Sequence, residues 1–161
     1  MRSSAALVLS GSILAGIFTG STAQAEPSPF AGLIGSWRGG GEIRLDDGKS
    51  EKLRCNAYYT QRDTAQNLGL AIKCASTSYT IELRSQLTVT GTTIKGSWEE
   101  RTFNASGNVT GQANGSSINL KIDGGAFSGS MAVSTNGSTQ SVTVGTSGSA
   151  LKGVTIQLTK G

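Results

Sequence analysis

From Trp37 to Leu158, large apolar residues recur at alternate positions, in short runs cut by Asp-Gly, Asn-Gly and Ser-Gly pairs. A repeat of two belongs to a strand with one dry and one wet face, whereas a helix needs a repeat near 3.6. Trp37, Gly39, Gly41, Ile43 and Leu45 share one face, with Arg38, Glu42 and Arg44 on the other. The pattern continues through Leu53, Cys55, Ala57 and Tyr59, then Leu68, Leu70, Ile72 and Cys74, then Tyr79, Ile81, Leu83, Leu87 and Val89. Ile94, Gly96 and Trp98 follow, and later Ile118, Leu120 and Ile122, Met131 and Val133, Val142 and Val144, and Val154, Ile156 and Leu158. Asp47-Gly48, Asn114-Gly115 and Asn136-Gly137 supply the positive φ angles that tight hairpins require. Together these signals predict about ten strands joined mainly by short hairpins.

A meander with every dry face on one side must hide that face. The expectation is an all-β, antiparallel up-and-down sheet curled into a closed barrel, which buries the interior and removes exposed edges. The absence of long crossovers argues against a Greek-key sandwich. Gly, Ser, Thr and Asn dominate from Asn104 to Gly148, yet the alternation persists there, so this half is also read as sheet. Several inward positions are small, including Gly39, Gly41, Ala57, Gly96, Gly111, Ala113 and Gly129. Such a lining leaves a void, flattens the barrel or bends it sharply.

The front of the chain carries Arg2, an apolar run from Ala5 to Phe18 and Ala23-Gln24-Ala25 before Glu26. This is the layout of a secretory signal peptide over residues 1–25, with a single barrel domain over 26–161. Removing Arg2 from the 14 basic residues, against 10 acidic ones, leaves a net charge of +3. No second apolar run is long enough to span a membrane, and no cysteine follows the cleavage site for lipid attachment. The expected location is periplasmic or secreted. Arg38, Arg44, Arg54, Arg84, Lys95 and Arg101 are scattered singly instead of forming a stripe, which argues against nucleic acid as a partner. There is no histidine. That removes the commonest general base and metal ligand, so the reading is no metal, no cofactor and no enzyme.

The two cysteines, Cys55 and Cys74, both fall in inward rows, and the polar segment Gln61–Asn67 lies midway between them. A hairpin folded there sets them directly opposite one another, and an exported chain meets an oxidising compartment, so a structural disulfide is expected.

Gly35-Ser36-Trp37, preceded by Pro29-Phe30-Ala31-Gly32-Leu33-Ile34, resembles the G-x-W opening of calycin-type barrels: lipocalins, avidins and haem-binding nitrobindin-like barrels. The resemblance implies that the tryptophan plugs the closed end beneath a short N-terminal turn, and that the barrel holds a small apolar ligand. The histidine that holds haem in nitrobindin-like proteins has no counterpart here. The overall pattern is also similar to small exported proteins of alphaproteobacteria. A second Gly-Ser-Trp stands at Gly96-Ser97-Trp98. The expected function is binding of a small hydrophobic or amphiphilic ligand without catalysis, lined by Trp37, Tyr59, Leu70, Ile81, Trp98, Phe127 and Met131. Tyr59, Tyr79, Ser85 and Glu100 are the inward polar groups that would orient it. Glu100 is singled out because a buried carboxylate needs a partner. The alternative is a filled-barrel interaction protein with an envelope protein or protease as partner, such as an envelope-associated structural protein or a protease inhibitor of the kind that shares this opening and a single disulfide.

Overall fold

The computed structural model describes residues 27–125 and 128–161; the signal-peptide segment and Phe127 lie outside the described residues. Ten strands follow one another: β1 (Gly35–Leu45), β2 (Ser50–Gln61), β3 (Asn67–Ala75), β4 (Thr80–Thr90), β5 (Thr93–Glu100), β6 (Ala105–Asn114), β7 (Ser117–Asp123), β8 (Ser128–Asn136), β9 (Thr139–Ser147) and β10 (Leu151–Lys160). Each pairs antiparallel with the next, and β10 returns to β1, giving a closed up-and-down barrel. Tight turns connect them; Gly115 and Gly137 both sit at φ 57°, where a side chain is disfavoured. Among the described residues no helix is long and apolar enough to cross a membrane.

The alternating apolar positions form one core, running from Phe30 and Trp37 through Leu68, Ile94 and Val142 to Leu158. The seam that decides closure pairs Gly39 with Leu158, Gly41 with Ile156 and Ile43 with Val154. Here the glycines allow close approach. A Cβ on Gly39 would lie 1.9 Å from the Gln157 carbonyl oxygen, and one on Gly41 would lie 1.8 Å from that of Thr155. Inward glycines therefore bend the sheet and bring neighbouring backbones together, instead of leaving empty space. Gly96 and Gly111 meet the carbonyl oxygens of Gln86 and Asn119 in the same way, at 2.0 and 2.2 Å.

One end of the barrel is plugged. Residues 29–33 form turns, with Leu33 N–H bonded to the Phe30 carbonyl at 2.9 Å. The fully buried Trp37 donates its indole N–H to the Leu33 carbonyl at 2.7 Å. Its ring meets Tyr59 edge-on, 6.5 Å between centroids, and Lys160 Nζ stands 5.3 Å from its centroid. Lys160 also donates to the Gly32 carbonyl at 3.3 Å, so the last strand clasps the plug. Cys55 and Cys74 are directly opposed on β2 and β3 and joined in a buried disulfide, with Cα atoms 4.1 Å apart.

Candidate functional site

Antiparallel order puts the starts of β1, β3, β5, β7 and β9 at the plugged end, and their ends at the other, where the β1–β2, β3–β4, β5–β6, β7–β8 and β9–β10 connections lie. The two ends are packed differently. At the plugged end the inward side chains fill the barrel, and the void bordered by Leu33, Tyr59, Leu70 and Met131 measures only about 20 Å³. At the open end a cavity of about 340 Å³ lies between Ile43 and Leu45 of β1, Tyr79 and Ile81 at the start of β4, Trp98 and Glu100 of β5, Phe103 of the β5–β6 turn, Ala105 of β6, and the 149–151 segment entering β10. Its walls are almost wholly apolar, and its size falls within the range that holds small molecules.

Each wall has a local cause. Trp98 pairs with Gly107 across β5 and β6, and its ring extends over Gly124, where a Cβ would come within 2.7 Å of the indole. Two glycines thus make room for one large ring. Ala105, opposite Glu100, keeps the wall thin on the β6 side. Phe103, 60% exposed, stands at the rim.

Glu100 is only 8% exposed, yet it lies between Leu83 and Ala105 and belongs to none of the ion pairs found among the described residues. One carboxylate oxygen accepts the Glu82 N–H at 2.7 Å and the other accepts the Phe103 N–H at 2.7 Å. The partner that a buried carboxylate requires is therefore main chain. These bonds tie the β5–β6 turn, where Asn104 adopts φ 51°, to the wall of the cavity.

The structure divides the sequence-derived residues between the two ends. Ile81, Trp98 and Glu100 border the cavity, whereas Trp37, Tyr59, Leu70 and Met131 belong to the filled half. Ser85 is buried with its hydroxyl spent on the Ser97 carbonyl at 2.8 Å, while Tyr79 borders the cavity. The sequence reading missed Ile43, Leu45, Phe103, Ala105 and Leu151 as cavity residues; all but Phe103 occupy inward positions at mouth-side strand ends. It also missed Gln140, which is fully buried and accepts the Tyr59 hydroxyl at 2.7 Å. Gln140 shares the parity of Val142 and Val144, and extending that row by one step finds it. Burial pushes the Tyr59 phenol pKa well above its ordinary value, against the weaker opposing effect of the Gln140 bond.

No family model matches the chain, and no curated protein does. Among solved structures it resembles Rv2717c from M. tuberculosis, with a TM-score of 0.64 at 12% identity over 82% of this chain and 94% of that one. It also resembles the S-type phycobiliprotein lyase CPES from Guillardia theta, with a TM-score of 0.59 at 11% identity over 82% of this chain and 90% of that one. At these identities the likeness is one of fold, a ten-stranded barrel of the calycin-like kind. It also corrects one expectation. The lack of histidine does not exclude an enzyme, because a solved barrel of this fold is a lyase. The physical reason is that an enclosing barrel can act on a molecule by burying and orienting it, which requires no imidazole.

Proposed function

We propose that this chain binds a small apolar or amphiphilic molecule in the open end of its barrel, and that it does so outside the cytoplasm, periplasmic or secreted. The observation that carries the reading is the apolar cavity of about 340 Å³ at the end opposite the Trp37 plug. Arg2, the apolar run, the Ala23-Gln24-Ala25 site and the buried disulfide support export, since such bridges persist in oxidising compartments. The likeness in fold to a phycobiliprotein lyase supports a barrel that handles a small molecule. Burying about 300 Å² of apolar ligand surface contributes about 7 kcal/mol before the cost of association.

The neutral fluorophore N-phenyl-1-naphthylamine tests this. Its emission should rise saturably with the wild-type protein, at one site per chain, and the rise should be lost in Ala105→Phe, which fills the cavity from β6. Equal enhancement by both proteins, or none by either, refutes the assignment.

A further inference from the structure

Resting on the binding reading above, we infer that the open-end cavity selects organic cations: molecules with an apolar body and an ammonium or comparable group. Three aromatic side chains, Tyr79, Trp98 and Phe103, border this single cavity together with Glu100, whose carboxylate is buried behind the apolar wall. Aromatic faces carry negative quadrupole potential and attract cations, quaternary ammonium ions above all.

The carboxylate adds a full charge to the same wall. Glu100 is held by two main-chain N–H groups and by no arginine or lysine ion pair among the described residues. Main-chain bonds satisfy its geometry and leave its net charge uncancelled. Buried behind the wall, this charge is weakly screened, so its field favours a cation in the cavity and disfavours an anion. The nearby bases are otherwise engaged or turned outward. Lys49 is bound to Asp47 at 2.7 Å, Lys73 to Glu82 at 2.5 Å, and Arg101 is exposed. A neutral or anionic occupant would gain the apolar contact alone.

The decisive comparison is between phenyltrimethylammonium and tert-butylbenzene, which share a shape and differ by one charge. NMR chemical-shift titration of the two tryptophan indole N–H resonances reads the binding, with Trp37 at the filled end as an internal control. The expected result is that the Trp98 resonance moves with both probes, and that the ammonium binds about tenfold tighter or more. Glu100→Gln should shrink that preference toward unity. Because Glu100→Gln also disturbs the β5–β6 turn, Phe103→Leu at the exposed rim provides an independent arm. It should weaken ammonium binding about two- to fivefold more than tert-butylbenzene binding, because leucine keeps an apolar side chain but has no aromatic face. Equal affinity for the two probes overturns cation selection while leaving the binding reading intact. A preference that survives Glu100→Gln and Phe103→Leu unchanged overturns the assignment to these residues. If neither probe moves Trp98, both the inference and the binding reading fail.

Discussion

The buried pair Tyr59–Gln140 offers a quantitative check on the filled half of the barrel. Its two residues lie far apart in sequence, on β2 and β9, and meet across the interior with a 2.7 Å hydrogen bond. Tyr59→Phe removes the donor and orphans the Gln140 carbonyl; Gln140→Met keeps the volume and orphans the Tyr59 hydroxyl. An orphaned buried polar group costs about 1–3 kcal/mol, whereas replacing both partners with apolar groups of the same shape is close to neutral. Each single variant should therefore lose about 2 kcal/mol, and the double variant about 1 kcal/mol where additivity would give about 4.

Urea unfolding followed by far-ultraviolet circular dichroism is a suitable assay, because the Trp37 ring meets Tyr59 edge-on and its emission would respond to the substitution itself. The coupling of about 3 kcal/mol is well above the roughly 0.5 kcal/mol scatter expected of independent sites. A double variant whose loss equals the sum of the singles would show that the two side chains do not share a bond. It would also refute the conclusion that this end of the barrel is tightly packed, because a water in a loose interior would satisfy either orphan.

Further outcomes follow from other parts of the barrel. Replacing both Cys55 and Cys74 with alanine should cost about 3 kcal/mol for a bridge spanning 19 positions, and lower the melting temperature by roughly 10 °C; an unchanged transition would contradict it. Gly41→Ala should destabilise by about 3 kcal/mol, because its Cβ would meet the Thr155 carbonyl on β10, whereas Gly32→Ala, with nothing within 4 Å, should stay within about 0.5 kcal/mol. Equal melting of the two glycine variants would remove the seam argument. The raised Tyr59 pKa means that the folded protein keeps a proton that the unfolded chain begins to lose near pH about 10. That part of the stability is intact below about pH 10 and declines as pH rises further, so Tyr59→Phe should flatten the alkaline limb of a stability-against-pH curve.

Much of the architecture is legible in the sequence because a strand repeat is local information. Parity alone puts Cys55 and Cys74 on inward rows, and the central polar turn sets their register; the structure pairs them directly. The number and order of strands follow from turn residues at short spacing, and closure follows from the need to bury every dry face. Gln140 escaped because an amide interrupts an apolar row, although its parity is unbroken. The role of Glu100 depends on main-chain groups from β4 and from the β5–β6 turn, and no local pattern brings those together. The inward glycines presented a different difficulty. Their effect depends on how steeply the sheet coils, so composition alone could not choose between a void and a bend.

The asymmetry between the two ends has a sequence signal once direction is taken into account. In an up-and-down barrel, inward residues at the start of odd strands and the end of even strands share one end. Sorted this way, Trp37, Tyr59, Leu68, Leu87, Ile94, Ile118, Gln140 and Leu158 collect at the plugged end, together with Phe30 and Leu33 from the entering turn. The other end receives Ala105, Gly107 and Gly129 among its inward positions, with Gly124 just beyond β7. Both ends mix bulky and small inward residues, so what distinguishes them is the entering turn: Phe30 and Leu33 close one mouth over Trp37, and the width of a closed barrel, set by strand number and tilt, leaves the other mouth uncovered. The cavity lies at the end that has no such plug, between the mouth-side ends of β1, β4, β5, β6 and β10. The second tryptophan fits the same logic. Trp37 lies near the start of β1 and Trp98 near the end of β5, so two copies of Gly-Ser-Trp serve opposite ends, one as plug and one as cavity wall.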